Sequence, residues 1–323
     1  MQDHGGNIGK AIAEFGGDLS DWVDLSTGIN GAPYPVGQIP EAAWTRLPDR
    51  EGLRALESAA QSAYGTTLDA VAVAGAQAAI QLVPRLMPAG QAAVLAPTYN
   101  EHAATLRSAG WQVREAATLD ALEGSGIAVV VNPNNPDGKS YAPDALAALA
   151  EKVGILIVDE SFVDPAPHLS VTTCSHGVPE NVIVLRSFGK FYGLAGLRLG
   201  FVLAAPALAG QVRDMVGPWP VSGMAIDVAA RALGDVQWTQ QTRENLLRDS
   251  ARLDDLARGA GWDLVGGTPL FRTYATPDAV KVQRHIATHQ IWTRIFPYSH
   301  KWIRLGLPAQ ENDWSRLSIA LRP

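Results

Sequence analysis

The run Ser187-Phe188-Gly189-Lys190-Phe191-Tyr192-Gly193-Leu194-Ala195-Gly196-Leu197-Arg198 sets one lysine among small residues, with a serine before it and an arginine after it. A lysine attacks a carbonyl when a crowded, partly dry setting lowers its pKa. The aldehyde of pyridoxal phosphate is a group that such a lysine captures, while neighbouring donors hold the phosphate. Ser187 and Arg198 suit that second task. The stretch follows the strand-like Val182-Ile183-Val184-Leu185, and its glycines let backbone come close to a cofactor. A turn lysine between two strands is the plain alternative.

Two further segments bear on that choice. Ile155-Leu156-Ile157-Val158-Asp159-Glu160 is an apolar run ending in carboxylates, the way a buried parallel strand presents an acid at its carboxyl end. An acid there can keep a pyridinium nitrogen protonated and make the ring an electron sink. A helix cap or a surface ion pair is the other reading of Asp159. Upstream, Ile127-Ala128-Val129-Val130-Val131 leads into Asn132-Pro133-Asn134-Asn135-Pro136-Asp137-Gly138. Asn-Pro and Asp-Gly mark a tight turn, and an asparagine amide can donate to a phenolate oxygen.

In order along the chain, these segments resemble the fold-type I pyridoxal phosphate enzymes, in particular the branch holding histidinol-phosphate aminotransferase and L-threonine-O-3-phosphate decarboxylase. The resemblance covers nearly the whole chain. It implies Lys190 as the Schiff-base lysine, Asp159 as partner of the pyridine nitrogen, Asn135 as donor to the phenolic oxygen, and Ser187 with Arg198 on the phosphate. After the strand-like Val71-Ala72-Val73, the run Gly75-Ala76-Gln77 opens a helix, and the resemblance places the phosphate on backbone N–H groups there, at Ala76 and Gln77. Tyr99, in Pro97-Thr98-Tyr99, matches the aromatic that stacks on the pyridine ring. Arg304, in Trp302-Ile303-Arg304-Leu305, matches the arginine that grips a substrate carboxylate, and Arg294 a position used toward the substrate's phosphate.

The N-terminus divides the branch. His4-Gly5-Gly6-Asn7, then Asp24-Leu25-Ser26-Thr27-Gly28-Ile29-Asn30 with Pro33-Tyr34-Pro35, resembles the threonine-phosphate decarboxylases of cobalamin biosynthesis. On that likeness His4 is expected on the substrate phosphate and Asn30 among the substrate-binding residues. The activity implied is decarboxylation of O-phospho-L-threonine. Transamination of a phosphorylated amino compound such as histidinol phosphate is the alternative, because the same residues serve either reaction. A chain that keeps the fold and only binds cofactor is a third reading. Two positions depart from the aminotransferases. Leu47-Pro48-Asp49 stands where they carry a Tyr-Pro-Asp segment that reaches the partner subunit's cofactor, and Phe162 replaces a tyrosine that bonds the phenolic oxygen.

Composition agrees. The 323 residues, 47% hydrophobic and 18% charged, suit a globular enzyme with a large core, and a net charge of −6 with no basic run argues against a nucleic-acid surface. Cys174 is the single cysteine, so no intrachain disulfide forms. No zinc-type spacing occurs, His285 and His289 lack the glutamate of a metalloprotease helix, and no metal is expected. No apolar stretch is long enough to span a membrane, and the start has neither basic region nor apolar segment, which leads to an expectation of a cytoplasmic protein. The resemblance implies a homodimer acting on a small phosphorylated amino acid.

These residues need a frame. From about residue 50 to about 205, apolar runs alternate with helical patterns, the signature of an α/β domain with a mostly parallel sheet covered on both faces. A helix from Pro206 to Val216, a long charged helix over 238–259, strands near 268–275, 291–297 and 301–307, and a helix over 278–290 read as a smaller α+β domain. The expected division is an N-terminal arm and part of the small domain over 1–45, a large cofactor domain over 46–205, and a small C-terminal domain over 206–323.

Overall fold

The computed structural model describes residues 5–322. Apart from short 3-10 turns, the chain runs α1 (Ile8–Phe15), β1 (Val23–Asp24), α2 (Glu41–Thr45), α3 (Arg50–Tyr64), β2 (Asp69–Val73), α4 (Ala76–Leu82), β3 (Gln91–Leu95), α5 (Glu101–Ser108), β4 (Gln112–Ala116), β5 (Ile127–Val131) and α6 (Pro143–Ala150). It continues through β6 (Ile155–Asp159), β7 (Val182–Ser187), α7 (Phe188–Phe191), β8 (Gly200–Ala204), α8 (Pro206–Val216), α9 (Gly223–Gly234) and α10 (Val236–Gly259). The last elements are β9 (Asp263–Thr268), β10 (Phe271–Ala275), α11 (Ala279–Ala287), β11 (Ile291–Trp292), β12 (Arg294–Phe296), β13 (Ser299–Gly306) and α12 (Glu311–Ala320).

The chain divides into two compact units. The large one comprises Tyr34–Asn135 and Lys139–Thr239; the small one comprises the chain up to Pro33, Pro136–Gly138, and Gln240 onward. These limits differ from the expected 46–205 and 206–323. Helix α8 lies with the large unit because Ala209 and Val212 complete the core on one face of its sheet, and α9 packs on α3. An apolar helical face follows whichever surface buries it, and the sequence pattern alone does not say which surface that is.

In the large unit seven strands lie in the order β2-β8-β7-β6-β5-β3-β4, with β8 antiparallel to both its neighbours and the rest parallel. Strands β5 and β6 are buried throughout, and β7 up to its last residue, which accounts for their unbroken Ile, Leu and Val runs. Ile127, Val129, Ile157, Ile183 and Leu185 pack with Ile80, Val83 and Leu106 on one face. The carboxyl ends of β5, β6 and β7 lead directly into Asn132, Asp159 and Ser187, where open α/β sheets carry their ligands. Asp49 caps α3, its side chain accepting from Gly52 N at 2.7 Å.

The small unit holds an antiparallel sheet in the order β12-β13-β10-β9 and a parallel pair, β1 with β11. Strand β9 is not announced by the sequence, because Gly266 and Gly267 dilute its pattern and only its last residue is buried. Helix α1 turns its apolar side, Ile8, Ala11, Ile12 and Phe15, to Trp22, Ala287 and Trp292. Pro136–Gly138 belongs here because Thr273 Oγ1 donates to Pro136 O at 2.5 Å and because Gly138 (φ +68°) meets the backbone of Gly267 where no Cβ would fit.

Candidate active site

In the large unit the site begins with Asp159 at the end of β6. The carboxylate is buried: His102 Nε2 donates to Oδ2 at 2.8 Å, and Ser161 N and Oγ donate to Oδ1 at 3.0 and 2.5 Å. Burial pushes the Asp159 pKa up, but the bonds and charge of His102 and the two bonds from Ser161 outweigh it, and the net direction is down. Asp159 is therefore a fixed negative charge in a dry place. His102 is a site residue that the motifs did not show. It lies in α5, three positions after Tyr99, on the same buried side as Ala103 and Leu106; a histidine on the apolar side of a helix entering the site was the available signal.

Tyr99 lies edge-on to His102, ring centroids 6.2 Å apart, and its hydroxyl donates to Gln77 Oε1 at 3.2 Å. Gln77 Nε2 in turn donates to Glu101 Oε2 at 3.0 Å. Burial first, and then the charges of Glu101 and Asp159, push the phenol up to about 12, so it stays neutral. The strut before Tyr99 is fixed as well: Thr98 Oγ1 donates to Asn134 Oδ1 at 2.6 Å, and Asn134 Nδ2 donates to Pro97 O at 2.9 Å. Asn132, fully buried, donates to Leu169 O at 2.9 Å and accepts from Tyr141 N at 2.8 Å. The half-buried Asn135 thus sits in a loop anchored on both sides.

Strand β7 ends at Ser187, and one turn of helix carries the half-buried Lys190, whose Nζ is 5.6 Å from the Phe162 ring centroid. A Cβ on Gly189 would fall 2.6 Å from Ala195 Cα, so the chain after the lysine folds back onto this glycine. Arg198 adopts a left-handed conformation (φ 54°), and its Nη1 donates to Ala195 O at 2.8 Å. A Cβ on Gly75 (φ +81°) would lie 2.6 Å from Arg198 Nη2, and one on Gly200 would lie 2.6 Å from Ala76 N. Guanidinium and the first turn of α4 therefore share a cradle lined by glycine, which suits a phosphate. These donors fit pyridoxal phosphate: the cradle for its phosphate, Asp159 for its ring nitrogen, Lys190 for its aldehyde. Among the described residues no group of His, Cys, Asp and Glu could hold a metal ion.

The small unit contributes a cationic pair. Arg304 on β13 is in register with Arg294 on β12, which puts both side chains on one face of the sheet. Arg304 is buried and Nη2 donates to Ser26 O at 2.7 Å; burial, and then the charge of Arg294, lower its pKa to about 10. Two adjacent guanidiniums in such a place favour an anion beside them. Ser26 also receives the arm: Gly6 N donates to Ser26 Oγ at 2.7 Å, and a Cβ on Gly5 would fall 2.3 Å from Ser26 O. His4, expected on the substrate phosphate, lies outside the described residues. Asn30 is buried and its Oδ1 accepts from Ala32 N at 3.0 Å, a local turn. Ala76, Gln77, Tyr99, Asn135, Asp159, Ser187, Lys190 and Arg198 thus fall in the large unit, and Asn30, Arg294 and Arg304 in the small one.

Comparison with known proteins bears on the whole chain. The family model for aminotransferase class I and II matches residues 39–319. A threonine-phosphate decarboxylase from Sinorhizobium sp is 44% identical, covering 98% of this chain and 97% of that protein. A threonine-phosphate decarboxylase from Pseudomonas aeruginosa is 43% identical, over 99% and 97%. A histidinol-phosphate aminotransferase from Yersinia pseudotuberculosis is 31% identical, over 68% of this chain and 62% of that protein. Among solved structures, histidinol-phosphate aminotransferase from Sinorhizobium meliloti, in complex with pyridoxal-5'-phosphate, superposes with a TM-score of 0.82 at 20% identity, covering 97% of this chain and 92% of that one.

Proposed function

The chain belongs to the class I and II aminotransferase family, and from that premise we propose that it is a pyridoxal phosphate enzyme that decarboxylates O-phospho-L-threonine to (R)-1-amino-2-propanol phosphate, a step of cobalamin biosynthesis. The observation that carries the choice of reaction is coverage: the likeness to threonine-phosphate decarboxylases runs over 98% of the chain at 44% identity, whereas that to the Yersinia histidinol-phosphate aminotransferase covers 68% at 31%. The paired cations Arg294 and Arg304 support a substrate with two anionic groups.

When bound, pyridoxal phosphate supplies an aldehyde for the substrate's amine and a ring that accepts the electron pair of the bond that breaks. The chain's own residues do the rest. Arg198, Ser187 and the N–H groups of Ala76 and Gln77 hold the phosphate of the cofactor. Asp159, kept ionised by His102 and Ser161, holds a proton on the ring nitrogen, with Asn135 at the phenolic oxygen and Tyr99 against the ring. Arg304 grips the substrate carboxylate and so decides which bond at Cα is aligned for cleavage, while Arg294 and His4 take the substrate phosphate. The carboxylate leaves as carbon dioxide, its bonding pair stays toward Cα, and Lys190 Nζ returns a proton to that carbon.

A homodimer and a cytoplasmic location are part of the same proposal. The dimer is what membership of this family supports, and the exposed Trp44, Leu47 and Trp219 of the large unit are candidates for its contact surface. No described helix is long and apolar enough to cross a membrane. Transamination is the second reading, favoured by the Yersinia relative and the Sinorhizobium structure. Cofactor-loaded protein is incubated with O-phospho-L-threonine alone, and in a parallel tube with histidinol phosphate and 2-oxoglutarate. Carbon dioxide in the first tube without any keto acid is the expected result; glutamate in the second with no gas in the first would establish the aminotransferase instead.

A further inference from the structure

Arg186 stands on β7 between Leu185, packed in the apolar core, and Ser187, and the chemistry above makes no use of it. Its guanidinium is buried. Nη2 donates to Asp164 Oδ1 at 2.6 Å, Nη1 donates to Glu160 Oε2 at 3.3 Å, and the guanidinium carbon is 3.9 Å from the centroid of the Tyr64 ring. Glu160, fully buried, is satisfied from its other side: Oε2 accepts from Ser170 Oγ at 2.6 Å and Oε1 from Val171 N at 2.7 Å. Burial pushes Glu160 up to about 7 against the pull of Arg186. The charged and titratable groups facing the clamp are Glu160 and Asp164 from the segment after β6, and Tyr64 from α3.

A buried ion pair seldom returns more than its desolvation costs, so net stability is a poor reason for this cluster. Geometry is a better one. Glu160 and Asp164 bracket Phe162, the residue whose ring lies 5.6 Å from Lys190 Nζ. Arg186 belongs to β7, which ends at Ser187 and passes directly into the turn of helix α7 that holds Lys190. The rigid fork thus ties the segment that carries the ring to the strand that leads into the helical turn carrying the amine, aided by Glu160 N donating to Leu185 O at 2.9 Å. We propose that Arg186, held by Glu160 and Asp164, is a positioning residue that sets the placement of Lys190 Nζ against the Phe162 ring. The inference rests on the reading of Lys190 as the cofactor lysine.

A cation within about 6 Å of an aromatic face is favoured, so loosening the clamp withdraws support for the protonated nitrogen and lowers the pH at which its proton leaves. At the strength of a partly exposed contact the shift is about half a pH unit. The test is a pH titration of the visible absorbance of cofactor-loaded protein, read beside thermal melts. Arg186→Lys keeps a cation but loses the fork, and Phe162→Leu removes the ring. Each should lower the midpoint by about half a unit, and the double variant should move no further than Phe162→Leu alone. Ser170→Ala, which removes a bond on the far side of Glu160, should lower the melting temperature and leave the midpoint in place. An unmoved midpoint in Phe162→Leu, an unmoved midpoint in Arg186→Lys with its melting temperature lowered, or shifts that add in the double variant, would overturn the proposal. If Arg186→Lys does not fold, Asp164→Asn carries the same expectation and the same refutation. Lys190→Ala should abolish the visible band altogether; a band that survives would instead remove Lys190 from its role.

Discussion

Replacing His102 with leucine tests the electrostatics of the site at its most buried contact. Nε2 and Asp159 Oδ2 are 2.8 Å apart, with side chains only 3% and 4% exposed, so neither has water to turn to. A hydrogen bond to a charged group is worth about 1.5–3 kcal/mol. Because Ser161 still donates twice to the other oxygen, the lower half of that range applies. That loss moves the Asp159 pKa upward, because the ionised form loses a donor and a nearby positive charge while its burial is unchanged. The sign follows from linkage: a carboxyl whose pKa is lowered by folding contributes stability above its unfolded pKa and loses it as pH falls through the folded value. Without His102, burial pulls upward with less opposition, and the loss starts at higher pH. The assay is urea unfolding of the protein without cofactor over a pH series from about 4 to about 8, followed by the acid limb of the activity profile. Expected are a stability deficit of about 1.5–2 kcal/mol at neutral pH and an acid limb displaced to higher pH, with His102→Gln, which still carries an N–H donor, recovering much of both. Superimposable curves for wild type and His102→Leu would refute the reasoning.

Three further outcomes are expected from the proposed site. Gly75→Ala forces a Cβ to within 2.6 Å of Arg198 Nη2 at a positive φ, and should weaken cofactor binding by at least about tenfold in an absorbance titration; unchanged affinity would mean that the phosphate is held elsewhere. Arg304→Lys loses the planar fork and should cost about tenfold or more in kcat/KM while leaving the cofactor spectrum unaltered. His4→Ala should weaken binding of O-phospho-L-threonine about ten- to a hundredfold more than that of threonine, measured as competitive inhibition constants, and an equal loss on both would take His4 off the phosphate.

The residues that sequence disclosed are those whose chemistry is announced locally. Asp159 follows an unbroken apolar strand, and Lys190 follows another strand and is flanked by glycines that steric crowding explains, as Gly189 against Ala195 shows. His102 was not legible because its meaning depends on Asp159, 57 residues away. The Arg186 cluster was hidden for the same reason, its carboxylates lying 22 and 26 residues upstream. An arginine closing the apolar run Val182–Leu185 was the clue available. Domain limits fared differently. The helices α8 and α9 were visible as helices, but their partners, the large sheet and α3, are set by tertiary packing. The three-residue excursion Pro136–Gly138 into the small unit depends on a close backbone approach between Gly138 and Gly267 that no local pattern encodes.

The most direct test of the proposed reaction is the fate of the hydrogen on Cα. Cofactor-loaded protein is given O-phospho-L-threonine in deuterium oxide with no keto acid, and product and residual substrate are read by proton NMR. Decarboxylation predicts aminopropanol phosphate that keeps the original Cα hydrogen and gains one deuterium in place of the carboxylate, with the remaining substrate unlabelled. Loss of the Cα hydrogen from unreacted substrate, with no carbon dioxide and no deuterated amine, would show that Lys190 removes that proton instead, and would contradict decarboxylation.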